Sequence, residues 1–186
     1  MATHLLQPLE SRMDETAYLE ELRSLIGGEI EAEQLALGSL PRLYANPRGH
    51  FVKLDFVVRG EIVLEVNTRP PHHLRLRKEG AITRALGRLG VLPDHKTGDP
   101  TFDDRYIIDN ASQEQVTRLL TPEARSLITS LEPFALFELT QKEYRCLKDV
   151  RRLEDYPPER AAADLNTMID LAELVARTVG PGKAPE

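Results

Sequence analysis

The sequence predicts an α+β fold in which a mostly antiparallel sheet packs against helices, with a long amphipathic helix at the C-terminal end. Apolar residues recur at helical spacing near both ends of the chain and in its middle. Strand patterns come instead in consecutive pairs, rather than alternating with helices as in a parallel sheet. With 186 residues, of which 41% are hydrophobic and 29% charged, the chain is long enough to form one domain with its own core.

The chain begins with predicted helices. Residues 14–26 place apolar side chains at helical spacing, and Gly27-Gly28 ends the run. A second, short helix is predicted over residues 31–43, before a turn at residues 46–49.

Strands follow this turn. Residues 51–59 and 61–67 alternate apolar and polar side chains on the two sides of Gly60, which is typical of a β-hairpin. A third strand is predicted over residues 72–79. A short helix then covers residues 81–89.

The middle of the chain carries clear helix-start signals. A short strand is predicted at residues 106–108. Ser112 and Gln115 then have the spacing of a capping box. Thr121 and Pro122 combine an N-cap residue with a proline at the first helical position, which predicts a further helix to about residue 131.

The last elements are a hairpin and the strongest helix. Residues 134–139 and 144–147 predict the hairpin. Residues 158–179 carry a continuous apolar stripe at helical spacing, and the polar Asp164 and Asn166 are placed off this stripe.

Charge divides the chain unevenly. Residues 9–34 contain eight acidic and two basic side chains, whereas residues 69–96 contain seven basic and two acidic ones. We therefore predict an acidic N-terminal helical segment at residues 1–46, an α+β domain at residues 47–180 and a flexible tail at residues 181–186.

Two motifs carry a resemblance to known sequences. Residues 97–103 read TGDPTFD and lead into a short strand, and residues 119–125 read LLTPEAR at a helix restart. With the strand pair and long helix that follow, they resemble a class of uncharacterised bacterial α+β domains with a TGDPxFD turn and an LLTPExR helix start. The resemblance covers roughly residues 51–179 and carries no assigned activity.

Asp99, Asp103 and Asp104 form the most conspicuous acidic cluster. Carboxylates on a rigid turn could hold a divalent cation or act as an acid and base, which makes a metal-dependent enzyme one alternative function. Their spacing does not fit a calcium loop, because the twelfth position counted from Asp99 is Asn110. Glycine and proline beside the acids favour a structural turn instead.

Other catalytic and metal sites find little support. His72 and His73 are neighbours on a predicted strand, so their side chains point to opposite faces and cannot easily share a metal ion. Cys146 is the only cysteine and lies in an apolar strand pattern. We therefore predict no metal, no cofactor and no catalytic residue, and lean towards a protein that is not an enzyme.

The predicted working surface is basic. Arg75 and Arg77 lie on the outward side of the third strand, and Arg84 and Arg88 follow on the next helix. The basic stretch 69–88 would suit a nucleic acid, which is a second alternative. The pI near 5.5 and the absence of tryptophan favour an acidic protein surface as the partner.

The sequence thus predicts a non-catalytic interaction or accessory module, one form of which is a small subunit of a larger assembly. No apolar run approaches the roughly 20 residues that a membrane-spanning helix needs, so a cytoplasmic protein is expected. The sequence leaves open whether the chain forms a homo-oligomer.

Overall fold

The computed structural model describes residues 15–33, 40–57, 61–68, 70, 72–78, 95–150 and 152–179. The helices are α1 Glu15–Ile26, α2 Pro100–Asp103, α3 Gln113–Leu119, α4 Pro122–Ser130 and α5 Pro158–Val179. The strands are β1 Glu29–Glu33, β2 Leu40–Ala45, β3 Phe51–Val57, β4 Glu61–Asn67, β5 Leu74–Lys78, β6 Tyr106–Asp109, β7 Leu136–Leu139 and β8 Tyr144–Asp149.

The eight described strands form one sheet in the order β1-β2-β3-β4-β8-β7-β5-β6, and every neighbouring pair is antiparallel. The late hairpin β7–β8 therefore lies between β4 and β5, which are closer to each other in sequence than either is to the hairpin. This arrangement confirms the predicted α+β class with an antiparallel sheet and a long final helix.

One hydrophobic core lies between the sheet and the helices. Every described helix contributes to it, with Tyr18, Phe102, Val116, Ile128 and Leu165 as examples from α1 to α5. Alternate residues of the strands supply the other side of the same cluster. All described helices thus belong to the layer on one face of the sheet, and we call the opposite side the outer face.

Local signals explain why the helices begin where they do. The Ser112 hydroxyl accepts a hydrogen bond from the Gln115 amide, and the Gln115 side chain accepts one from the Ser112 amide, which confirms the capping box. Thr121 caps α4 through the amide of Ala124 at 3.2 Å, with Pro122 at the first helical position.

The helix predicted over residues 31–43 is wrong. Residues 29–33 and 40–45 instead form β1 and β2, and β2 pairs with β3. Glutamate, alanine and leucine favour a helix locally, but burying Leu43 opposite Leu54 in the sheet outweighs that preference. The sheet consequently extends into the segment that the sequence assigned to helices.

A glycine fixes the entry into β1. Gly28 has φ +111°, and a Cβ atom there would lie 2.1 Å from the Tyr44 carbonyl oxygen. Only glycine allows the turn after α1 to approach β2 this closely.

Several predictions fall outside the described residues. These are the helix at residues 81–89, with Arg84 and Arg88, and the tail at residues 181–186. The other predicted strands and helices are confirmed to within a few residues.

Candidate functional site

The outer face carries a continuous row of charged side chains. Six strands each contribute one residue, directly opposite its neighbour in the sheet register. The signs alternate along the whole row. We call this set the charged row; in order from β3 to β6 its members are Lys53, Glu65, Arg145, Glu138, Arg75 and Asp109.

Ion pairs connect neighbours within the row. Lys53 Nζ lies 2.8 Å from Glu65 Oε2, and Arg145 Nε lies 3.6 Å from Glu65 Oε1. Arg75 donates to Glu138 Oε1 at 2.8 Å through Nη2, and this carboxylate raises the pKa of Arg75. Such cross-strand pairs favour this register over a slipped one, because a slip would separate the paired charges.

The predicted basic residues of β5 lie at the end of this row. The side chains of Arg75 and Arg77 are 39% and 40% exposed. Each has a partner within the chain, because Arg75 pairs with Glu138 and Arg77 with Asp109. The structure therefore places both arginines on one surface, but with their charges largely balanced by neighbouring carboxylates. Arg84 and Arg88 lie outside the described residues.

A second row on the outer face is apolar at its centre. Val63, Leu147 and Leu136 are successive partners across β4, β8 and β7. Val63 is 2% exposed, while both leucines are half-buried. Because this strip is largely withdrawn from water, the accessible part of the outer face is mainly charged.

Pairing on the outer face is incomplete. Six buried side-chain polar atoms in the described residues have no hydrogen-bond partner, and four of them lie on this face. They are Asp55 Oδ1, Arg77 Nε, Asp109 Oδ1 and Arg145 Nε. Asp55 Oδ1 lies 2.8 Å from Arg42 Nε, so it is electrostatically paired without a hydrogen bond of good geometry. Buried polar groups are normally hydrogen-bonded, so this face retains unused donors and acceptors.

The acidic turn is built from its own carboxylates. Asp99 caps α2 by accepting from the amides of Thr101 and Phe102. Asp103 accepts from the amides of Thr97 and Gly98 at 2.8 and 3.0 Å. These bonds fix the turn that precedes α2 and occupy carboxylate oxygens of Asp99 and Asp103.

The other candidate ligands and nucleophiles are also separated or buried. His72 Nδ1 lies 3.1 Å from the side-chain nitrogen Nε2 of Gln115. Burial raises the pKa of the Cys146 thiol to about 12, so it is a protonated core side chain. Across the described ranges, no three His, Cys, Asp or Glu side chains are grouped so that they could hold a metal ion.

The most unusual polar group lies in the core and was not predicted. Lys148 and Asp164 are each 2% exposed, and Lys148 Nζ lies 2.7 Å from Asp164 Oδ2. The Tyr156 hydroxyl donates to the same oxygen at 2.8 Å, and Arg160 Nε lies 3.1 Å from Oδ1. The prediction that Asp164 lies off the buried stripe of α5 is therefore wrong, because three donors compensate its burial.

Lys148 and Arg160 also donate hydrogen bonds to the backbone carbonyls at the C-terminal end of α4. Lys148 also donates to the Leu131 carbonyl, and Arg160 donates to the carbonyls of Ser130 and Glu132 at 2.6 and 3.1 Å. The last carbonyls of a helix lack partners within it, so these bonds join β8, α4 and α5. The sequence contains one signal for the burial of Lys148. It lies two residues after Cys146 and four after Tyr144, so the alternation of β8 places it on the buried side of the strand.

The described residues define a class of fold, a single antiparallel sheet with the described helices on one face. No protein-family model matches the chain, and no curated protein has a sequence that matches it. The fold is similar to that of the mycobacterial trehalose monomycolate transport factor A, TtfA, with a TM-score of 0.59 and 11% sequence identity. The similarity covers 94% of this chain and 100% of TtfA. At this identity it establishes the fold alone.

None of the described helices combines the length and apolar character required to cross a membrane. The final helix, although 22 residues long, carries charged side chains throughout.

Proposed function

We propose that this chain is a non-catalytic accessory module that binds a protein partner through the outer face of its sheet. The observation that carries the proposal is the charged row, which spans six strands on a face that no described helix covers. Charged surfaces of this kind give an interface its specificity and its rate of association more than its raw affinity.

Arg75 and Arg77 supply the donors that fit an acidic partner. A guanidinium group has five N–H donors, and Arg75 uses Nε and Nη2 for Glu138. The Nη1 groups of Arg75 and Arg77 can donate to carboxylates that arrive from outside, because the Nη2 group of Arg77 binds Asp109 and its Nε is buried. The predicted contributions of Arg84 and Arg88 belong to the same proposal.

The similarity in fold to TtfA supports an accessory role for this chain. TtfA is named as a transport factor, which is a name for an accessory protein and not for an enzyme. By analogy of fold, TtfA supports the class of function rather than a particular partner.

Co-purification from the native source tests the proposal. Full-length tagged protein is compared with the double variant Arg75→Gln/Arg77→Gln, which removes two charges without placing new acids beside Glu138 and Asp109. We expect the specifically captured protein, identified by mass spectrometry, to be lost or reduced at least tenfold with the variant.

A matched control separates local from general charge effects. The double variant Arg23→Gln/Arg118→Gln removes the same charge from exposed positions on α1 and α3. It is expected to retain the partner. Equal capture by the outer-face variant and wild type, with circular dichroism confirming that both are folded, would contradict the proposal. Capture that disappears on nuclease treatment would also contradict it, since the partner would then be a nucleic acid.

A further inference from the structure

A groove on the helical side of the molecule has the composition of an anion site. It lies between α2 and α4 and has a volume of about 440 Å³. Its lining includes two arginines, Arg105 and Arg125, and the hydroxyls of Thr101, Ser126 and Ser130. A groove of this size falls within the range of small-molecule sites.

Arg125 forms the inner wall and is incompletely paired. Its side chain is 16% exposed, and Nη1 donates to the Leu120 carbonyl at 2.8 Å. Its Nε is buried without a hydrogen-bond partner, although Asp99 Oδ2 lies 3.3 Å away. The other oxygen of Asp99 is occupied by the amides at the start of α2. Leu120 and Asp99 thus hold the guanidinium in place, while its Nη2 makes no hydrogen bond with the described residues.

Arg105 stands at the rim of the groove. Its side chain is 47% exposed, and its nearest carboxylate is Glu132 at 3.6 Å. The other oxygen of Glu132 accepts from the Tyr106 hydroxyl at 2.7 Å. Arg105 can therefore turn towards the groove without leaving a buried group unpaired.

We propose that this groove binds a small ligand through an oxyanion, either a phosphate or a carboxylate group, held between Arg105 and Arg125. The planar fork of a guanidinium matches the geometry of both oxyanions, and the hydroxyls of Thr101 and Ser126 add neutral donors, whereas that of Ser130 already donates to the Leu127 carbonyl. Asp99 sets the position of Arg125 and limits the site to one anionic group. This proposal does not depend on the outer face, which lies on the other side of the sheet.

Thermal unfolding and isothermal titration calorimetry of the full chain test the site. Inorganic phosphate and succinate are titrated separately at constant ionic strength, with sodium chloride as the reference. We expect saturable binding and a rise in the melting temperature with one of these anions, which identifies the source of the oxyanion.

Variants locate the binding. Arg105→Gln alters an exposed residue, so the protein is expected to fold, and its dissociation constant should increase at least tenfold. Arg118→Gln, an exposed arginine on α3 outside the groove, should bind as wild type does. Absence of saturable binding of either anion, or equal binding by the Arg105 variant, would overturn the proposal.

Discussion

The buried pair between Lys148 and Asp164 makes the sharpest prediction about stability. Replacing Asp164 by Asn keeps the side-chain shape but leaves the Lys148 ammonium, 2% exposed, without its counter-charge. Breaking a buried pair from one side costs about 3–5 kcal/mol. Because Lys148 retains the Leu131 carbonyl and lies over the Tyr156 ring, we expect a value of about 3 kcal/mol. For a domain of this length, that loss lowers the melting temperature by on the order of 10 °C.

The reciprocal variant should be milder. Lys148→Met leaves Asp164 with hydrogen bonds from Tyr156 and Arg160, so we expect about half the loss caused by Asp164→Asn. The double variant should be more stable than the sum of the two single losses predicts, by about 1–3 kcal/mol, since the two residues contact each other.

Urea unfolding monitored by circular dichroism measures these differences. Asp170→Asn serves as a control on the same helix, because its side chain is 49% exposed, and it should leave the urea midpoint nearly unchanged. A loss below about 0.5 kcal/mol for Asp164→Asn, or strict additivity in the double variant, would show that the two buried charges do not stabilise each other.

Three further predictions follow from burial and backbone geometry. Since burial raises the pKa of Cys146 to about 12, a thiol reagent at pH 8 should label it only after unfolding; rapid labelling of native protein would contradict its burial. Burial also raises the pKa of four tyrosines above the ordinary value of 10.0: Tyr18, Tyr106, Tyr144 and Tyr156. The folded state keeps these protons while the unfolded state releases them, so their stabilisation is complete below pH 10 and declines above it. Absorbance at 295 nm should therefore rise together with loss of circular dichroism, and ionisation of most tyrosines in native protein would contradict this. Gly28→Ala should destabilise far more than Gly27→Ala, because both have positive φ but only the first places a Cβ against the Tyr44 backbone; equal urea midpoints would contradict the contact.

Local patterns predicted most of the fold because their physical causes are local. Alternation along residues 51–67 depends on one buried side of a hairpin, and the caps at Ser112 and Thr121 depend on side chains within three residues. The helix predicted at residues 31–43 was wrong because it rested on local helix preference alone. In the structure β2 is stabilised by pairing with β3, which lies outside residues 31–43.

The site was less predictable because it depends on distant pairing. The charged row exists only once β8 lies beside β4 and β7 beside β5, which brings Arg145 next to Glu65 and Glu138 next to Arg75. Likewise, Asp164 looked like an exposed acid because its compensating Lys148 comes from another element. The sequence shows the sign of each charge, but it does not show the strand register that places these charges beside one another.

The proposed partner binds on the outer face of the sheet rather than on the helices. Site-specific photo-crosslinking tests it most directly, with a photoreactive residue at position 145 in the charged row or at position 166 on an exposed part of α5. We expect a protein adduct from position 145 and none from position 166 after irradiation in the native source. An adduct from position 166 alone would contradict it and would place the interface on the helical layer.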